Sequence, residues 1–322
     1  MKKWFDDLAI DLMIYPTHDN ISFEACTPYV QAIHDLQHRL HPEFPEVSAN
    51  GEWERREYTL KNIARYATIV MADSEVGRED ILNFYGDYIS PESVKVLPFL
   101  AANYLDPDVP EHEKQRVRNK YRLPERFVFY PAQFWPHKNH LRVVQALGLI
   151  KEQTGIDIPI VFCGSSVGGI RRRTVKELIT SVQKLRIAKN VYLIDYVSDA
   201  DMSALYAEAV ALVMPTFFGP TNIPPIEAAA FGCPVLTSDI RGIREQVGEG
   251  AVLVDPYSVE SIADGIRRLW DDDGLRRTVS EKLRTRLGSY TPVEFRQRLT
   301  AIVEQAKDMI RPRAASSPFP SR

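Results

Sequence analysis

Two stretches of this sequence place charged side chains in loops that open helices. In FFGPTNIPPIEAAAFGCPVLTSD, residues 217–239, a Gly-Pro loop runs into Pro224 and Pro225 and then meets Glu227. Proline fits the first helical turn, where no amide hydrogen is needed, and Gly232 suits the position just past the last turn. A helix is therefore expected over about 224–231. The amides of Thr221, Asn222 and Ile223 then lie free at its positive end, which suits an anion, and a wide loop after a strand suits phosphate. Glu227 sits in the first turn. A carboxylate there accepts from the two hydroxyls of a ribose, or it complements the helix dipole, and this stretch alone favours neither. In YPAQFWPHKNHLRVVQAL, residues 130–147, Lys138 precedes another helix. Such a lysine neutralises a diphosphate as charge develops on a leaving group, or it is a solvated side chain.

Other chemistry-bearing patterns are weaker. His34 and His38 have the spacing of a metal pair on a helix but lack a nearby third ligand, and HKNH at 137–140 is no better. WDDDG at 270–274 reads as a solvated helix end. FCGSSVGGIRRR, residues 162–173, has a strand–glycine–helix shape without the spacing of a dinucleotide fingerprint. The basic runs KQRVRNKYR and RRR are solvated faces, or they help the protein sit at an anionic lipid surface.

These residues must be held by an α/β scaffold. Short, continuous apolar runs alternate with amphipathic stretches, as in parallel sheets covered on both faces. Strands are expected at 127–132, 158–164, 191–194, 211–215, 233–238 and 251–254, with helices near 140–153, 171–186, 200–209, 224–231 and 258–270. The first half carries strand candidates at 9–15, 29–34, 68–72 and 94–98, and helices over 53–66 and 75–84 with Ser74 as N-cap. Asp199 is expected to cap the helix that follows the 191–194 strand. The polar segment 104–126, with three prolines, reads as a linker, and 292–311 as a helix docking back on the body. In a doubly wound sheet ligands bind at the carboxyl ends of the strands, where Lys138 and Glu227 both fall.

The 322 residues suit two domains, and a net charge of -3 gives no general pull toward nucleic acid. The cysteines Cys26, Cys163 and Cys233 are far apart, which fits a reducing cytoplasm and neither a disulfide framework nor a zinc site. Asp6, Asp7 and Asp11 interrupt any signal-peptide core, and no apolar run is long enough to span a bilayer. The end, RPRAASSPFPSR, has the composition of a disordered tail.

Taken with these motifs, NIPPIEAAAFGCPVLTSD resembles the donor loop of family 4 retaining glycosyltransferases of the GT-B fold. There a GLPPLEA-like run leads to the second of two glutamates. The resemblance gives Glu227 the ribose-binding role and leaves Gly219 where the sugar-facing first acid stands in the family. Thr221, Asn222 and Ile223 then serve the sugar or phosphate. The family's GRLxPxKN pattern is matched by Lys138 and Asn139, while Gln133 replaces its arginine. NVYLIDYV, residues 190–197, resembles the strand and loop that hold the base, so Tyr196 and Val197 contact it through their backbone. AIHDLQHRL resembles the segment whose histidine, here His34, lies across the cleft near the transferred sugar.

The resemblance implies two Rossmann-like doubly wound domains facing a cleft, the first incomplete. Residues 1–105 form a partial acceptor-side domain and 106–290 the nucleotide-sugar domain; 291–311 is a helix packing back and 312–322 a tail. The family's opening strand, glycine-rich turn and helix are not found at the start. The expected activity is metal-independent, mannosyltransferase-like transfer of a hexose from a nucleoside diphosphate sugar to a glycan or lipid-linked acceptor. It is expected in the cytoplasm or peripherally at the inner membrane face, with no further cofactor. The catalytic candidates are His34, Lys138 and Glu227. A non-catalytic nucleotide-sugar-binding or scaffold protein is the rival, favoured by Gly219, Gln133 and the short first domain. A sugar-nucleotide epimerase would need further acid–base residues facing the donor.

Overall fold

A computed structural model describes residues 2–310. The expected tail at 312–322 lies outside the described residues. Two compact units are present: residues 37–53 and 99–291 form one, and the rest of the described chain forms the other.

The smaller unit holds a parallel sheet of four strands in simple sequence order. They are β1 (Met13–Tyr15), β2 (Tyr29–Ala32), β3 (Ile69–Ala72) and β4 (Val94–Val96). β2 and β3 are buried along their whole length; β3 is an unbroken apolar run, and the one polar side chain of β2, Gln31, donates through Nε2 to the Thr17 carbonyl at 2.9 Å. Leu60 and Ile63 of helix Glu52–Tyr66 and Ile81 and Tyr85 of helix Glu75–Tyr85 pack with Ile33, Val70 and Val94. Helix Pro292–Ile310 returns to this unit and buries Ile302 and Ala306 with Val30, Ile69 and Met71. Ser74 caps its helix as expected, its Oγ accepting from the Gly77 amide at 3.0 Å.

The larger unit holds six parallel strands: β5 (Val128–Pro131), β6 (Ile160–Cys163), β7 (Val191–Ile194), β8 (Ala211–Met214), β9 (Val235–Ser238) and β10 (Val252–Val254). Their order across the sheet is β10-β9-β8-β5-β6-β7. The chain runs outward from β5 to β7, returns to β8 beside β5, and runs outward the other way. β5 and β8 therefore flank the switch point, where the outgoing loops diverge and leave a crevice at the carboxyl edge. The residues of β5, β6, β8 and β9 are buried throughout. Every strand expected from the sequence is present in this doubly wound arrangement.

Two local readings are corrected. The expected linker at 104–126 contains helix Glu111–Tyr121, which packs on helix Asp199–Glu208. Asp201, buried, holds the two together by accepting from Arg116 (2.6 Å), Lys120 (2.6 Å) and the Tyr121 hydroxyl (2.7 Å). Ser198, not Asp199, caps the second of these helices, its Oγ accepting from the Asp201 amide at 3.3 Å. The acidic run at 270–274 is an exposed helix end, as expected: it closes helix Val259–Asp271 and opens helix Asp273–Gly288, with Asp272 accepting from the Leu275 amide. No described helix is long and apolar enough to cross a membrane.

Candidate functional site

Helix Ile223–Ala230 follows β8, starts on Asn222 and carries Pro224 and Pro225 in its first turn. It ends as its sequence requires, with Gly232 at φ +63°, the left-handed conformation that closes a helix. A 3₁₀ turn, Pro136–Lys138, follows β5, and Asn139 after it is left-handed at φ 61°. These are the two loops of the switch point.

They are tied together by named bonds. Lys138 Nζ donates to Asn222 Oδ1 at 3.1 Å, which puts the ammonium at the positive end of the helix. Asn139 Nδ2 donates to the carbonyls of Pro215 and Pro256, each at 2.8 Å, joining the loops after β5, β8 and β10. The Phe217 amide donates to the His137 carbonyl at 2.8 Å, and the Tyr130 hydroxyl donates to the Lys138 carbonyl. Segment 37–53 packs here as well. Glu46 Oε1 accepts from the His137 amide (3.1 Å) and faces its ring Nδ1 (2.6 Å), while Phe44 stacks on Phe217.

Of the three expected helix-terminal amides, one is taken. The Asn222 amide donates to Gln246 Oε1 at 3.1 Å, and Gln246 Nε2 returns a bond to the Asn222 carbonyl at 2.6 Å. The expectation of a free Asn222 N–H is therefore corrected. The clamp fixes the helix start and takes up only the Asn222 amide of the three. Gly219 has φ +137°, and a Cβ there would sit 2.7 Å from Asn222 Nδ2 and 2.8 Å from Oδ1. Asn222 thus fills the space beside position 219, and its Nδ2 donates to the Gly219 carbonyl at 3.1 Å.

Glu227 is only 9% exposed and accepts from the buried Tyr206 hydroxyl through Oε2 at 2.7 Å. Burial raises its pKa above the usual carboxylate value, and the Tyr206 bond opposes that rise. Tyr196, after the edge strand β7, is 85% exposed, while its neighbour Val197 is buried. Gln133 Oε1 accepts from Trp135 Nε1 at 3.1 Å and from Arg171 Nη1 at 2.6 Å.

His34 belongs to the smaller unit. Its Nδ1 faces the Asp73 carboxylate (3.2 and 3.3 Å) and its Nε2 the Pro16 carbonyl (2.9 Å). Both partners accept, so the protonated ring satisfies both. The Asp73 bond accordingly raises its pKa, against the effect of burial. His38 lies in the larger unit, buried beside Trp53. In the larger unit the structure thus brings Lys138, Asn222 and the start of the Glu227 helix together. Tyr206, Gln246, Glu46 and Arg171 were not singled out from the sequence, because each acts through a partner distant in the chain.

Residues 111–289 match the family described as glycosyl transferases group 1. The O-antigen chain mannosyltransferase B of Escherichia coli is 25% identical over 239 residues, covering 74% of this chain and 61% of that protein. The chain thus spans less than two thirds of the length of this curated relative. In fold it is similar to a glycosyltransferase from Rickettsia africae ESF-5, with TM-score 0.75, 16% identity, and 95% and 80% of the two chains covered. It is likewise similar to Anabaena Alr3699/HepE, solved in complex with UDP, with TM-score 0.74, 19% identity, and 94% and 80% covered.

Proposed function

This chain belongs to the glycosyl transferases group 1 family, and on that premise we propose that it is a retaining glycosyltransferase. It moves a hexose from a nucleoside diphosphate sugar to a glycan or lipid-linked acceptor. The observation that carries the reading is the Lys138 ammonium held at the start of helix Ile223–Ala230 beside the switch point. A diphosphate placed there meets one fixed cation and the positive helix end, both aimed at charge that grows as the sugar departs.

In this reading Lys138 and the Thr221 and Ile223 amides hold the diphosphate. Glu227, oriented by Tyr206, accepts from the ribose hydroxyls. Tyr196 and Val197 edge the base. The sugar leaves and is attacked on the same face, and the departing phosphate oxygen takes the acceptor proton. Gly219, Asn222 and Gln133 line the sugar and phosphate side. His34 is a candidate for the transferred sugar on the strength of the resemblance alone. The name of the Escherichia coli relative makes mannose the first hexose to try.

Incubation with UDP-, GDP-, dTDP- and ADP-hexoses in the presence of a chelator, with release of nucleoside diphosphate as readout, tests the proposal. Turnover with one donor and retention at the anomeric carbon support it; inversion sinks the retaining mechanism. A second reading, nucleotide-sugar binding without turnover, is favoured by Gly219, which offers no carboxylate and whose φ of +137° strains any side chain put there. Donor binding with no release for any acceptor, glycan or lipid-linked, supports that alternative.

A further inference from the structure

Arg171 lies in the first turn of helix Gly169–Lys184, which follows β6, the strand beside β5. Its guanidinium reaches across to the β5 loop. Nη1 donates to Gln133 Oε1 at 2.6 Å, and the guanidinium carbon sits 4.6 Å from the centre of the Trp135 ring. Trp135 belongs to the turn that carries Lys138, whose amide donates to the Trp135 carbonyl at 3.0 Å.

Nothing in this arrangement neutralises the arginine. Gln133 is an uncharged acceptor. Among the described residues no carboxylate pairs with Arg171, and its Nε is buried without a hydrogen-bond partner. The first turn of a helix is also the wrong end for a cation, because the macrodipole is positive there. That turn contains no acidic residue, and three consecutive arginines, Arg171, Arg172 and Arg173, follow its first two residues. A buried donor left unbonded and a cation at the positive end of a helix each cost stability. An anion beside the guanidinium offsets the dipole and supplies the missing acceptor.

We propose that Arg171 is a second cation for the donor's diphosphate, delivered by the helix after β6 and oriented by Gln133 and Trp135. The proposal rests on the donor-site reading given above. Lys138 is a point charge on a flexible stem, whereas a guanidinium offers a planar fork that matches two phosphate oxygens. Arg171 thus selects for the diphosphate over the monophosphate, while Glu227 and the β7 loop serve the nucleoside.

The test is calorimetric titration of wild type, Arg171→Ala, Arg171→Lys and the double variant Arg171→Ala/Gln133→Arg. The ligands are UDP and GDP, their monophosphates and their nucleosides. Loss of one charged hydrogen-bonding group corresponds to about tenfold weaker diphosphate binding or more, with nucleoside binding unchanged. Arg171→Lys is expected to recover part of the loss. The double variant is expected to recover most of it, because the Gln133 side chain ends 2.6 Å from the present guanidinium, so a longer arginine there reaches the same place. Unchanged diphosphate affinity in Arg171→Ala, or equal loss for diphosphate and nucleoside, overturns the role. A wild type that binds neither diphosphate overturns the donor-site reading itself, before any variant is compared.

Discussion

Lys138 Nζ and Asn222 Oδ1 are 3.1 Å apart, and that bond joins the loops after β5 and β8 across the switch point. The lysine is supported from behind. Tyr130 holds its carbonyl, and Asn139 pins the next residue to the loops after β8 and β10. A cation placed with this much support needs little reorganisation when charge appears on a ligand.

Lys138→Ala should accordingly be a functional lesion and not a folding one. Removing such a preorganised group lowers kcat by about 10²–10³-fold. The carbonyl and amide contacts of residue 138 are backbone and survive the change. Steady-state kinetics beside thermal unfolding checks this; parallel loss of activity and stability would falsify the assignment.

Glu227 sets stability against binding. Its folded-state pKa is raised, so its contribution to stability is present below the ordinary carboxylate value and is lost as pH rises through the raised one. At neutral pH the ionised form is therefore a burden in the empty protein. Glu227→Gln should melt higher than wild type at pH 7 and gain little near pH 4, while binding nucleoside diphosphates more weakly. Melting curves across that range decide it, and a variant that melts lower at pH 7 contradicts the burial argument.

Gly219 is a backbone requirement. At φ +137° and with Asn222 against it, even alanine is strained, by about 1–3 kcal/mol for such a conformation. Gly219→Ala should lower the melting temperature and displace Asn222 from Lys138, weakening donor binding too. Gly219→Glu should fare no better, although it supplies the carboxylate that the resemblance leads one to expect. Enhanced turnover in Gly219→Glu would show that the loop relaxes freely.

Asp201 governs acid sensitivity in the larger unit. Its bonds to Lys120, Tyr121 and Arg116 outweigh burial and pull its pKa down to about 2. A depressed folded value means stabilisation that is present above the ordinary value near 3.8 and lost as pH falls through about 2. Asp201→Asn should melt well below wild type at pH 7, and the gap should close between about pH 4 and pH 2. A gap independent of pH would mean that the carboxylate charge is not what holds these helices together.

The fold was legible because parallel strands covered on both faces read as unbroken apolar runs, as in VFYP, IVFC and ALVM. Helix Glu111–Tyr121 was not, because it buries only Val117 and prolines flank its charged sequence. Lys138, Glu227 and the Pro-Pro helix start were legible as motif and cap chemistry. Gln246 was not, since nothing local marks a glutamine that clamps Asn222 from a later helix. Nothing local marks Tyr206 either, and Arg171 is one of three consecutive arginines that read as a solvated face or a lipid contact. Segment 37–53 was equally hidden, as pattern alone does not show that Glu46 meets His137.

The most direct test of the donor site is thermal unfolding of the wild-type chain with UDP, GDP, dTDP and ADP, beside Lys138→Ala and Glu227→Ala. A nucleotide at a hundred times its dissociation constant adds about 2.7 kcal/mol to stability. A clear rise in melting temperature is expected for one base, sharply reduced in both variants. A cooperative transition that none of the four nucleotides moves, or a shift that survives both substitutions, would contradict the donor-site reading.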